Sequence, residues 1–115
     1  GLTRRPLFVP AVANYKQGML VQLPLHLDTL PGKPSAHDLH DALQKHYTSE
    51  GSEWVTVEPA TADNKLSAIA LANTSQLELR VFGNDEHALL VARLDYLGKG
   101  ASGAAVQNIQ LMLGL

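Results

Sequence analysis

The chain has no cysteine. That excludes a disulfide, a thiolate metal site and a thiol nucleophile anywhere in its 115 residues. A basic run is missing too. Arg4-Arg5 is the only adjacent basic pair and the formal charge is −2, which argues against a broad nucleic-acid surface. No apolar stretch approaches the ~20 residues of a membrane helix, and the opening residues Leu2 to Pro6 carry no targeting pattern. Internal repeats and low-complexity tracts are also lacking. What is present is ordinary globular composition, 45% apolar and 17% charged. One domain over residues 1–115 fits that length, with room for a core but little for a dehydrogenase handling two substrates. Gly1 stands where an initiator Met would, so a piece of a longer protein is expected. The expected location is the cytoplasm.

Leu7 to Ala13 is apolar, but Pro6 and Pro10 restrict it to an edge or irregular segment. Asn14 to Gly18 reads as a turn. From Met19 to Leu27 odd-numbered apolar residues alternate with Gln22, Pro24 and His26, which predicts a half-buried strand. Pro24 cannot donate to a ladder, so this strand belongs at an edge or carries a bulge. Ser35 with Asp38 forms a capping box ahead of a helix over 36–47, with Leu39, Ala42, Leu43 and Tyr47 on one face. Residues 51–53 end it, and Trp54 to Glu58 predicts a short strand. Residues 60–73 read as a loop with one helical turn. Gln76 to Phe82 and His87 to Leu97 predict an antiparallel hairpin. Its first strand has Leu77, Leu79 and Val81 on one face, Glu78 and Arg80 on the other. A helix over 102–113 is apolar on more than one side and expects cover from another domain or subunit. The predicted fold class is α+β, a mainly antiparallel sheet with helices on one face.

His37 and His40, three apart beside Asp38 and Asp41, have a spacing that can share a metal. The sequence fixes no third ligand, so a solvated helix face is expected and no metal site is assigned. His26 and His87 have no triad spacing. Glu50 with Glu53, and Asp85 with Glu86, sit in loops without the apolar setting that raises a carboxyl pKa. Arg93 and Asp95, two apart on one strand, are expected to pair with each other.

Gly98, Gly100 and Gly103 satisfy the G-x-G-x-x-G spacing between a strand and a helix. A dinucleotide fingerprint needs a further strand and an acidic residue about twenty positions on, and Leu115 comes twelve residues after Gly103. The glycines then read as a strand-to-helix turn that allows tight packing. Lys99 places a cation beside the N–H groups of this turn, an arrangement suited to a phosphate. Asn108 shares a helix face with apolar residues, and an amide there needs a partner.

The run LDYLGKGASGAAVQNIQLMLGL resembles the C-terminal signature of N-acetyl-gamma-glutamyl-phosphate reductases, D-N-L-x-K-G-A-x-G-x-A-x-Q-N. Asp95, Leu97, Lys99, Gly100, Ala101, Gly103, Ala105, Gln107 and Asn108 stand in matching places, and Tyr96 replaces the usual Asn. Phe8 to Leu27 also resembles that family. The resemblance implies a C-terminal α+β domain like that of glyceraldehyde-phosphate dehydrogenases, serving substrate binding and dimerisation in a longer two-domain reductase. It implies NADPH-dependent reduction of N-acetylglutamyl 5-phosphate to N-acetylglutamate 5-semialdehyde, with release of phosphate, in arginine biosynthesis. The catalytic Cys and its His partner would lie outside this chain, so no catalytic residue is assigned here and the isolated chain is expected to be inactive. Asn108, Gly100 and Gly103 are implied on the cofactor side, with NADP held mainly by a dinucleotide-binding domain elsewhere. Lys99, Tyr15, Gln17 and Gly18 are implied at the substrate pocket, although many relatives carry Arg where Gln17 stands. The implied partners are that domain, the small-molecule substrate and further copies of the chain. Two alternatives stand beside this: a free-standing, non-catalytic α+β ligand-binding or regulatory module closing a site around Gly98 to Gly103, and a related semialdehyde dehydrogenase such as one for aspartate.

Overall fold

The computed structural model describes residues 3–49 and 53–115. The elements in order are β1 (Met19–His26), a 3-10 turn (Leu27–Thr29), α1 (Ala36–Ser49), β2 (Val55–Glu58), β3 (Leu77–Gly83), β4 (His87–Leu94), a π-helical turn (Gly98–Ser102) and α2 (Gly103–Leu113). The strands form one mixed sheet in the order β1-β4-β3-β2. β4 pairs antiparallel with β1 and β3, while β2 runs parallel to β3. The fold is α+β, as its alternation pattern predicts. Pro24 does sit on an edge strand, opposite Leu89. The predicted hairpin forms, and its turn is fixed by Asn84, whose Oδ1 accepts from the N–H groups of Glu86 (2.9 Å) and His87 (2.8 Å). Residues 60–73 form successive turns rather than a helical turn, with Asn64 and Asn73 in the left-handed region at φ 55° and 63°. Gly51, Ser52 and Glu50 lie outside the described residues.

The capping box ahead of α1 is reciprocal. Asp38 accepts from the Ser35 backbone N–H at 2.8 Å, and Ser35 Oγ accepts from the Asp38 N–H at 3.1 Å. Ser35→Ala is therefore expected to lower stability by about 1 kcal/mol, measured as a shifted urea midpoint at unchanged slope.

α1 lies over β2 and β3 on one face of the sheet. Leu39 and Leu43 pack there with Leu27, Val81, Ala88 and Leu90, which is the core. β1 lies at the far edge, beyond the reach of this helix. Its odd residues point to the same face but stay open, with Val21 52% and Leu23 53% exposed. The strand reads as half-buried, but within this chain Met19, Val21 and Leu23 are exposed, as are Gln22, Pro24 and His26 on its other side.

The opposite face is covered by the crossover from β2 to β3. Glu78 and Arg80, on the face opposite Leu77, Leu79 and Val81, lie beneath it. Arg80 Nε donates to Glu78 Oε1 at 2.6 Å, Arg93 Nη2 donates to Glu78 Oε2, and the two arginines also reach the Pro59 and Ser67 carbonyls of the crossover. Burial pushes the Glu78 pKa up, but the two guanidinium groups outweigh it and hold the carboxyl below its usual range. Arg93 thus pairs with its cross-strand neighbour Glu78 and not with Asp95. Asp95 falls just past the end of β4, where the chain turns away from the strand line.

Candidate functional site

Asp95 is fully buried. A carboxylate without solvent must find its partners in the protein, and this one takes them from three separate segments. Oδ2 accepts from Gln17 Nε2 (2.9 Å) and from the Asn73 N–H (2.6 Å). Oδ1 accepts from the N–H groups of Leu97 (2.8 Å) and Gly98 (3.3 Å), as an N-cap residue does at the start of a helix. Burial alone would raise its pKa. The backbone donors and the Gln17 amide prevail and bring the carboxyl below the usual aspartate range.

This network gathers the Asn14 to Gly18 turn, the end of the crossover and the Gly-rich turn around an open cleft of about 330 Å³. Gln17, Asn73, Ser75, Asp95, Gly98 and Ser102 are among the residues that line it. The glycines serve close approach. A Cβ on Gly98 would lie 2.4 Å from the Thr74 carbonyl oxygen, and one on Gly103 would lie 2.6 Å from Ser75 Oγ. Gly18, at φ +111°, brings its Cα face against the Ala68 carbonyl, where a Cβ would sit at 2.3 Å. Gly98 and Gly103 thus have the packing role expected from the G-x-G-x-x-G spacing. The N–H groups of Leu97 and Gly98 go to Asp95 Oδ1, and that of Gly100 to the Asp95 carbonyl (2.9 Å), so none of these three is free for an anion.

The sequence-derived site residues separate into groups. Gln17, Gly98 and Gly103 line the cleft, with Gly18 beside Gln17. Tyr15 is exposed on the same turn. Tyr96, the departure from the family motif, donates its hydroxyl to the Lys16 carbonyl at 2.9 Å and so holds that turn from a second side. Lys99 Nζ donates to Gln107 Oε1, and its partial burial draws the ammonium pKa below the usual lysine value. Gly100 packs near Leu94. Asn108 is exposed on α2, an element without a buried residue, so the amide meets open surface and not the partner expected for a covered helix. Asn73 and Ser75 carried no site role in the sequence, and Asp95 entered there as a motif residue expected to pair with Arg93, not as the centre of the cleft. An Asp three residues before a helix-opening Gly is a recognisable capping signal, whereas the approach of Asn73 across the sheet leaves no local mark.

The histidines gather elsewhere. On α1, Asp41 pairs with His37 (Nε2 to Oδ2, 3.2 Å) and His40 (Nδ1 to Oδ1, 3.4 Å), with His37 and Asp41 well exposed. His26 and His87 meet edge to face across β1 and β4, 4.8 Å between ring centres.

Comparison with known proteins decides the family. Residues 1–96 match the model of the semialdehyde dehydrogenase dimerisation domain. The chain belongs to the semialdehyde dehydrogenase family. N-acetyl-gamma-glutamyl-phosphate reductase 2 of Nostoc sp. is 50% identical over the whole of this chain, which covers 38% of that relative. The reductase of Trichormus variabilis is 49% identical with the same coverage, and that of Brucella ovis 48% identical over 98% of the chain and 37% of the relative. The chain thus spans about 38% of the length of the curated relatives it matches. The family match and the α+β sheet agree with what the residues Asp95 to Asn108 implied.

Proposed function

We propose that this chain is the substrate-side and dimerisation domain of an NADPH-dependent N-acetyl-gamma-glutamyl-phosphate reductase acting in the cytoplasm. The reaction reduces N-acetylglutamyl 5-phosphate to N-acetylglutamate 5-semialdehyde and releases phosphate, a step of arginine biosynthesis. The observation that carries this is the 50% identity to such a reductase along the entire chain. An acyl phosphate is a good acylating agent, and a thiolate divides its reduction into two easier steps. With no Cys here, the nucleophile belongs to the remaining part of the protein, and this domain supplies a wall of the pocket. Lys99, Tyr15, Gln17 and Gly18 are assigned to the substrate side, Gln17 because it lines the cleft. The exposed Asn108 amide offers a donor and an acceptor that match a carboxamide, so the nicotinamide contact is assigned to it. Gly100 and Gly103 shape the turn that carries it. Bound NADPH would supply the hydride.

The test is an assay of the complete reading frame's product with N-acetylglutamate semialdehyde, phosphate and NADP⁺. Phosphate-dependent formation of NADPH is expected from the complete protein and none from the 115-residue chain. No turnover by the complete protein, or turnover by the isolated chain, contradicts the proposal.

Apolar surface supports the oligomer. Phe8 is 88% and Met112 85% exposed, and Met19, Val21 and Leu23 form an open stripe on β1. We assign that stripe to contact between copies. The complete protein is expected to run as a dimer or larger species in light scattering, and Leu23→Asp to shift it to monomer at micromolar concentration.

A further inference from the structure

The Tyr15 to Gly18 turn has no regular secondary structure, yet it is held at three successive residues. The Lys16 carbonyl accepts from the Tyr96 hydroxyl at 2.9 Å, Gln17 Nε2 donates to Asp95 at 2.9 Å, and Gly18 lies against the Ala68 carbonyl. Two of these holds come from consecutive residues, Asp95 and Tyr96, at the end of β4. They grip different groups of the turn, one its backbone and one a side chain that lines the cleft. A loop that presents groups to a ligand without such ties must be ordered when the ligand binds, and that ordering weakens binding. A preordered turn avoids that loss.

We infer that Tyr96 is a positioning residue that, together with the Gln17–Asp95 hydrogen bond, preorders the Tyr15–Gly18 turn for the acyl-phosphate substrate, its own hydroxyl touching no reacting atom. The inference rests on the reductase reading given above for the identity of the substrate, but the clamp itself stands on the hydrogen bonds. Because both residues act on one turn, their effects are coupled and not additive. Tyr96 is also an exposed side chain. Removing its hydroxyl takes away one hydrogen bond with little change in packing.

The experiment uses the complete protein with Tyr96→Phe, Gln17→Ala and the double variant. Steady-state kinetics are read with N-acetylglutamate semialdehyde and NADP⁺, and hydrogen exchange is followed at the amides of Gln17 and Gly18. Loss of one hydrogen bond corresponds to about a 3- to 10-fold change. Tyr96→Phe is expected to raise KM for the semialdehyde by that factor, with kcat and the KM for NADP⁺ within twofold of wild type, and Gln17→Ala, which also removes a cleft-lining side chain, to raise it at least as much. Exchange at both amides should quicken, and the double variant should change less than the product of the singles. Unchanged KM and exchange overturn the inference. So does an equal loss across kcat and both KM values with a lower Tm, since that marks a general structural role. If wild-type protein turns nothing over, the reductase reading has failed, and exchange alone decides the clamp: faster exchange in Tyr96→Phe upholds it, and wild-type exchange overturns it.

Discussion

Gly18→Ala is expected to destabilise the chain by about 3–5 kcal/mol, enough to unfold a marginal domain. Two costs combine. At φ +111° a side-chain-bearing residue is strained, typically by about 1–3 kcal/mol. The added Cβ would also sit 2.3 Å from the Ala68 carbonyl oxygen, a backbone atom that cannot swing aside. Relieving that overlap pushes the turn away from the crossover and away from Asp95. Gly32→Ala is the control. It too has positive φ, +77°, but nothing lies within 4 Å of its would-be Cβ, so only the backbone term applies, about 1 kcal/mol. Urea midpoints of the two variants, at unchanged slope, measure the difference. Equal midpoints would mean that the Gly18–Ala68 approach is not rigid.

Asp95 carries the second large effect. Asp95→Ala strands the N–H groups of Asn73, Leu97 and Gly98 together with the Gln17 amide, and buried donors without partners are expensive. A Tm loss on the order of 10 °C is expected. Asp95→Asn should be nearly as harmful, because its NH₂ faces N–H donors where an oxygen accepted them. The same site sets a pH dependence. The folded carboxyl titrates below its ordinary range. Its contribution is therefore fully present above the ordinary aspartate pKa and is lost as pH falls through the lower folded value. The stability gap between wild type and Asp95→Asn should close over that acid window, as followed by thermal melts at stepped pH. A gap that stays constant with pH would show that charge plays no part.

Much of this architecture can be read from the residues, for reasons that also mark where reading stops. Period-two alternation places β1, β3 and β4, Pro24 sends β1 to an edge, and Ser35 with Asp38 starts α1. These are local rules, satisfied within a few residues. Alternation reports which side chains share a face but not what covers it. Glu78 and Arg80 therefore read as the face opposite Leu77, Leu79 and Val81 and lie under the crossover, while Val21 and Leu23 read as the buried side of β1 and lie open. The parallel pairing of β2 with β3 was equally hidden, because it depends on the path of an irregular crossover. For the site, the motif pointed to the Gly-rich turn and the Tyr15–Gly18 turn separately. That they meet, and that Asp95 joins them through Gln17 and the N–H groups of Leu97 and Gly98, is a property of the folded chain alone.

The most direct test of that junction is a carboxyl ¹³C NMR titration of Asp95, followed together with the backbone amides of Asn73, Leu97 and Gly98. A midpoint below the ordinary aspartate range, with all three amides shifting at that same midpoint, is the predicted result. An ordinary midpoint, with the Asn73 and Gly98 amides unmoved, would contradict the claim that this one carboxylate assembles the cleft.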